Sequence, residues 1–463
     1  MTLLIPIFLA LTAIYILSFY KKFLNYQRLK HYASKIPGPP LEYIMGNTYL
    51  FRNKTSDEFI LMFKEEARKA RERGETVIRF LLPGKMIVWP LNGKAVSQIV
   101  ESTTEIYKGS DYSMFEPWIG GLLLLTGDIW KSHRKMITPT FHFAKLEGYF
   151  NVFNSESKIL TSCLSKFADS NQTVDIFPYI NRCLLDIICE TAMGTKVNAQ
   201  FNHDHPYLKA VKGYAAMMVI AERKKTRESN TQPTDSSKRN TNFLDMMLDK
   251  TESNGLTEEE LRNEVDTFMF GGHDTTTTSS SWTVWCLANH PDIQQRVYEE
   301  ILEVCGEGEE DVTLEQVNKL NYLELVMKES KRLFPPVPAV QRHLQKDMVI
   351  DGHTIPAGAN ITIAPVVLHD NHLVYSNPEL FDPDRFLPEE SAKRHSYDFI
   401  PFSAGIKNCI GQKFAVLNEK VLISHLIRSF KIEPMLKFRE TRPCFEVVSK
   451  PSRGIPVKLT KRC

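Results

Sequence analysis

Cys409 has the most demanding setting of any reactive residue in the chain. It lies in Phe402-Ser403-Ala404-Gly405-Ile406-Lys407-Asn408-Cys409-Ile410-Gly411, where a glycine-marked loop gives way to a helical pattern. A cysteine kept for packing needs no such surroundings, but a metal-binding thiolate does. Gly405 permits a tight turn, and Gly411 lets a flat cofactor approach the backbone. A helix that begins just after the cysteine turns its first amides toward the sulfur and favours the thiolate. Phe402 is placed to shield the sulfur from water. The plainer alternative is a buried free cysteine in a glycine-rich loop. It would win for a bare Cys-x-Gly, and it fits poorly with the whole Phe-x-x-Gly-x-Lys-x-Cys-x-Gly spacing.

A second constellation is Phe268-Met269-Phe270-Gly271-Gly272-His273-Asp274-Thr275-Thr276. Two glycines followed by four threonines are poor helix formers. Bare backbone at Gly271 and Gly272 lets another body press close. Thr275 can bond a carbonyl one turn back and loosen the helix. Asp274 and Thr275, an acid beside an alcohol, suit ordered proton delivery. A kinked core helix with solvated hydroxyls explains the same residues about as well when they are taken alone. Glu329 and Arg332 share one helix face at i, i+3, as do Trp130 and Arg134 one turn apart.

These residues need a frame. Thr257-Glu258-Glu259-Glu260 is a capping box, and the helix it opens runs to Asn289, before His290-Pro291. That helix carries Gly271 to Thr276 through the middle of the molecule. Val77–Phe80 and Met86–Trp89 flank Pro83-Gly84 as a β-hairpin. Residues 130–190 are mostly helical, and short strands follow Pro335-Pro336. Residues 222–242 are polar and read as a mobile surface loop. The fold class is therefore mostly α with a small β-sheet lobe.

Composition narrows the class. The 463 residues carry a net charge of +2, which implies no nucleic-acid partner. Eight cysteines without a Cys-x-x-Cys pair indicate a reducing compartment. The sequons at Asn53, Asn171 and Asn360 are then accidental. Leu3 to Tyr20 is uncharged and apolar; at about 1.5 Å per residue it reaches the thickness of a thin bilayer. Lys21, Lys22, Arg28 and Lys30 follow it, which places the remainder in the cytosol. Residues 1–20 are expected to be a transmembrane signal anchor, 21–40 a basic, proline-rich hinge and 41–463 the catalytic body.

The cysteine spacing resembles that of the cytochromes P450, the haem-thiolate monooxygenases. The resemblance extends over almost the whole chain, with anchor, hinge and motifs in the usual order. It implies haem as cofactor, with Cys409 as the iron ligand and Asp274-Thr275 as the oxygen-activation pair. It also implies that Trp130, Arg134, Arg342 and Lys407 meet the haem propionates. Lys407 stands where the family usually has arginine, and a lysine lacks the planar fork. Glu329 and Arg332, with Arg385 from Phe381-Asp382-Pro383-Asp384-Arg385-Phe386, are implied to lock the cysteine loop. Glu264-Val265-Asp266-Thr267-Phe268-Met269-Phe270 and Asn408-Cys409-Ile410-Gly411-Gln412-Lys413-Phe414-Ala415 are most similar to the fourth family, known for ω-hydroxylation of fatty acids. Gly271 replaces the glutamate that esterifies haem in many of its members, so the haem is expected to be held without that bond.

The resemblance further implies a lipophilic substrate and an endoplasmic-reticulum membrane location. It implies NADPH–cytochrome P450 reductase as electron donor, with cytochrome b5 as a candidate second donor. Lys131, Lys135, Lys407 and Lys413 are expected to present positive charge to that donor. One departure is large. Between Tyr207 and Ala221 there is room for one helix only, where the family inserts several tens of residues that roof the substrate pocket. An alternative reading is therefore a haem-binding short form with impaired catalysis. A haem-thiolate isomerase and a cysteine hydrolase are further rivals. Asp274-Thr275 argues against the isomerase, and bound haem would exclude the hydrolase.

Overall fold

Local signals place the longest element where its cap predicts. Thr257 accepts from the Glu260 amide, and Glu260 reaches back to the Thr257 amide at 2.8 Å. The helix so opened runs from Glu258 to Asn289, 32 residues, or ~48 Å. It ends one residue before His290-Pro291. The computed structural model describes residues 4–462, apart from 117–118, 142–145, 171, 203–214, 230–241 and 254. Within them we number the helices used below α1 (Leu4–Ala33), α2 (Gly127–Ile137), α3 (Phe177–Met193), α4 (Ala215–Ser229), α5 (Glu258–Asn289), α6 (Asn321–Leu333) and α7 (Gln412–Ser429).

The strands form three small sheets. β1 (Val77–Leu82) and β2 (Lys85–Pro90) are the expected hairpin, closed at Leu82↔Lys85 by Pro83 and Gly84. β2 then pairs in parallel with β7 (Asn360–Ile363), which pairs antiparallel with β4 (Val340–His343). β3 (Thr173–Asp175), β9 (Pro456–Lys461) and β8 (Phe430–Pro434) form a second sheet. β5 (Met348–Ile350) pairs with β6 (His353–Ile355). The helical core gathers Trp282, Trp285 and Phe153, while Val88, Ile361 and Ile363 pack in a smaller core under the first sheet. The mostly α fold with a small β lobe is as expected.

Three expectations need correction. The polar stretch 222–242 is not loop throughout: α4 continues to Ser229 because Arg223 grips Asp245 and Arg227 grips Asp249. Residues 230–241 of that stretch lie outside the described residues, as does most of the single roof helix expected over 207–221. The basic segment 21–33 is helix, so the hinge shrinks to residues 34–40. That remnant is pinned, because Arg79 donates to the carbonyls of Ala33 at 2.9 Å and Pro39 at 2.6 Å, and its amide to Pro37.

The anchor is the third. Among the described residues no helix is long and apolar enough to cross a membrane, so a spanning segment at 1–20 is not supported. α1 does not stop with the apolar run but continues through Lys21, Lys22, Arg28 and Lys30. Its described apolar residues, Phe8, Leu11, Ile14, Tyr15, Leu17 and Phe19 among them, are exposed, whereas Leu29 and Ala33 are buried against the body.

Candidate functional site

The cysteine loop is built from backbone. Gly405 has φ +67°, and a side chain there would collide with the Val100 carbonyl. The Asn408 amide donates to Gly405 at 3.1 Å, and the Cys409 amide to Phe402 at 2.9 Å. The Gly411 amide, ahead of α7, points at the Cys409 sulfur. Cys409 is exposed, yet to a space enclosed by protein rather than to the outer surface. Burial pushes its thiol up, against the pull of the Gly411 amide and Arg134. The amide effect read from the sequence is thus real but outweighed by desolvation in the free thiol. A side chain at Gly411 would meet nothing within 4 Å.

Four cations converge beside this loop. From α2, Arg134 donates to the Asn408 carbonyl at 2.8 Å and to its side-chain oxygen at 2.9 Å. Lys407 lies 4.2 Å from the centre of the Trp130 ring and donates to the Leu125 carbonyl. It is turned inward, so it does not present charge to a docking partner as expected. Arg342 on β4 is buried and opposes Lys108 in an antiparallel bridge. Lys108 carried no sequence signal: it lies in an irregular segment, and only its pairing with β4 places it. Burial and then Arg342 push Lys108 down to about 7. Burial, then Lys108, Arg342 and Arg134, push Lys407 down to about 6. Among the described residues none of the four forms an ion pair with a carboxylate. Like charges do not gather at depth without an anion to meet, and a ligand with two carboxylates fits them. Haem is such a ligand.

α5 forms the opposite wall. A side chain at Gly271 would find nothing within 4 Å, so its bare face looks into open space. Gly272 differs from the expectation, because Ile188 of α3 fills its bare side, 2.6 Å from where a Cβ would stand. Thr275 donates to the Gly271 carbonyl at 2.7 Å, as expected, although α5 stays continuous. Asp274 is buried, and its Oδ2 lies 3.1 Å from Lys450 Nζ.

Behind the loop sits a buried clamp. Both Glu329 oxygens receive Arg332, at 2.7 and 2.8 Å, and Oε1 accepts the Asp382 amide at 3.0 Å. Arg332 also donates to the carbonyls of His369 and Leu380 at 3.1 Å, and Arg385 closes on Glu329 at 3.5 Å. The irregular segment 369–385 is thereby tied to α6.

His133 carries no sequence signal of its own, although it lies inside the Trp130–Arg134 turn. Its Nδ1 bonds Glu264, which is fully buried on α5, at 2.7 Å. Glu264 also accepts the Leu122 amide at 3.0 Å. The Glu264 bond raises the His133 pKa, with Glu260 at 3.8 Å helping, against burial. A histidine raised above its unfolded value stabilises the fold fully below pH ~6.5 and loses that contribution as pH rises through the folded value. The Tm advantage of the protein over His133→Gln should therefore be largest near pH 6 and shrink through pH 8. An advantage independent of pH would show that the bond works in its neutral form only.

The family model described as "Cytochrome P450" matches residues 36–220 and 215–459. The chain belongs to the cytochrome P450 family. Its similar relatives include cytochrome P450 4V2 of Mus musculus, 34% identical over 96% of this chain and 94% of the relative. Cytochrome P450 4V2 of Homo sapiens is 35% identical over the same shares. Cytochrome P450 4c3 of Drosophila melanogaster is 36% identical over 94% and 91%. The protein is thus a monooxygenase that binds haem through a cysteine thiolate, works with a redox partner and acts on a small molecule. The two pieces of the family match meet at residues 215–220, at the start of α4. The alignment with the mouse relative spans 497 positions against 463 residues here, so the relative has residues for which this cytochrome P450 has none. A match of this breadth does not favour the catalytically impaired reading.

Proposed function

We propose that this cytochrome P450 hydroxylates a lipophilic substrate such as a fatty acid, using O2 and NADPH, with Cys409 as the iron ligand. The observation that carries the site assignment is the set of four basic side chains around the Cys409 loop, none paired with a carboxylate among the described residues. Arg134, Arg342, Lys407 and Lys108 would hold the two haem carboxylates, with the Trp130 indole beside them. Bound haem supplies the activation of dioxygen. The chain's own residues would exclude water and manage protons, and the bare backbone at Gly271 and Gly411 would leave room for a flat cofactor. Gly271 carries no carboxylate, so the haem is held by the thiolate and by polar contacts alone.

Asp274 is the proton-carrying acid and Thr275 the hydroxyl that passes protons on. Thr275→Ala should keep the haem spectrum and turn more NADPH into peroxide and water, with less hydroxylated product. An unchanged ratio of product to NADPH would remove Thr275 from the relay. The substrate class is tested by titrating lauric and palmitic acid and following the low-spin to high-spin shift; no shift with either acid would sink the fatty-acid assignment.

The exposed apolar side chains of α1 support placement at the endoplasmic-reticulum membrane, with Lys21, Lys22 and Arg28 at the cytosolic edge. NADPH–cytochrome P450 reductase is the proposed electron donor, and cytochrome b5 a second. A groove of about 530 Å³ beside the cysteine loop suits such docking: Met327, Phe402, Val416 and Leu417 line it, with Lys328 and Lys413 at hand.

A further inference from the structure

We propose that Lys450 is a positioning residue of the proton relay, holding the Asp274 carboxylate oriented and in touch with solvent. The inference rests on the reading of Asp274 and Thr275 given above. The Asp274 side chain is 9% exposed and that of Lys450 44% exposed, with Nζ 3.1 Å from Oδ2. Lys450 therefore joins a buried acid to bulk water. It comes from a different part of the chain, the loop before β9, and that loop is itself fixed. Trp282 of α5 donates to the Ser449 carbonyl at 2.9 Å, and the Ser449 amide donates to Pro336 at 2.8 Å. Pro443 pairs with Pro451 across the loop's neck. The helix that carries Asp274 thus also fixes the backbone that carries its partner.

No other charge does this work among the described residues. His273 is adjacent, but its Nδ1 is bonded to the Met269 carbonyl at 2.9 Å, and burial pushes its pKa down. An exposed lysine–carboxylate pair contributes little. Here one partner is buried, so removing the ammonium strands the carboxylate. A proton from solvent adds to the Asp274 carboxylate to give the carboxylic acid, which passes it toward Thr275 and returns to the carboxylate facing Lys450.

The test uses the full chain with haem and reductase, and lauric acid as the probe. Lys450→Met should retain haem and the reduced carbon-monoxide spectrum. It should lower product per NADPH about threefold and enlarge the solvent isotope effect on turnover about twofold. The C–O stretching frequency of the carbon-monoxide complex should shift, since a charge near the site has gone, and this reading needs no turnover. Lys450→Arg should restore all three. Wild-type coupling, isotope effect and C–O stretch in Lys450→Met, beside an uncoupled Thr275→Ala, would overturn the role of Lys450 alone. If Asp274→Asn and Thr275→Ala are also normal, the relay itself fails. Loss of haem in Lys450→Met with full recovery of all readouts in the uncharged Lys450→Gln would mark the lysine as structural and overturn the inference.

Discussion

Replacing Cys409 with histidine or alanine abolishes the thiolate-type absorption band of the reduced carbon-monoxide complex. The expectation follows from the loop. Gly405 turns the chain at φ +67°, the Cys409 amide is bonded to Phe402, and the Gly411 amide is aimed at the sulfur. Of the described cysteines, Cys183, Cys189, Cys286 and Cys305 are buried, and Cys409 alone is exposed to the interior space. Among the described cysteines, Cys163 and Cys444 are half-buried outside this loop, so none is placed to replace it. Histidine at 409 should move the band to that of an imidazole-ligated haem, and alanine should lose the band or the haem. Persistence of the wild-type band in either variant would disprove the ligand assignment.

Glu329→Ala comes next in expected size. It leaves the Arg332 guanidinium, whose side chain is 0% exposed, without its bidentate partner. It also frees the Asp382 amide and the nearby Arg385. Breaking a buried pair by removing one member costs about 3–5 kcal/mol, a large share of the roughly 5–15 kcal/mol that holds a folded protein together. Because the freed segment 369–385 leads toward the cysteine loop, haem should be lost before the helices melt. Expressed Glu329→Ala should show normal far-ultraviolet circular dichroism and little or no haem. Glu329→Gln, which keeps shape without charge, should fall between. A variant that keeps wild-type haem content would show that the clamp is dispensable.

The sequence made the helices and the cysteine loop legible because their signals are local. The Thr257–Glu260 box, the stop at His290-Pro291, the Pro83-Gly84 turn and the spacing around Cys409 all act over a few residues. What it hid is mostly non-local. Lys108 joins the basic cluster beside the cysteine loop only through its bridge to Arg342 on a distant strand. Lys450 meets Asp274 across 176 positions of chain. Of the two expectations for Lys407, the propionate side and the docking face, the local sequence cannot choose; its packing over the Trp130 ring turns it inward. Composition alone makes the polar run after Glu222 a loop. Helix persists to Ser229 because Arg223 and Arg227 find acids on the next helix, which composition cannot show.

Arg79 removes a swivel. An enzyme tied to its support by a floppy string samples every tilt. Here one residue holds the carbonyls of Ala33, Pro37 and Pro39. Tyr26 and Lys30, further back along α1, staple the carbonyls of Ile44 and Tyr43, each at 2.8 Å. The helix is therefore a spar set into the body at one angle. On the proposed membrane placement, that angle fixes the elevation of every opening on the body above the lipid. A lipophile leaving the bilayer then meets an entrance at one height, a height set by a buried guanidinium.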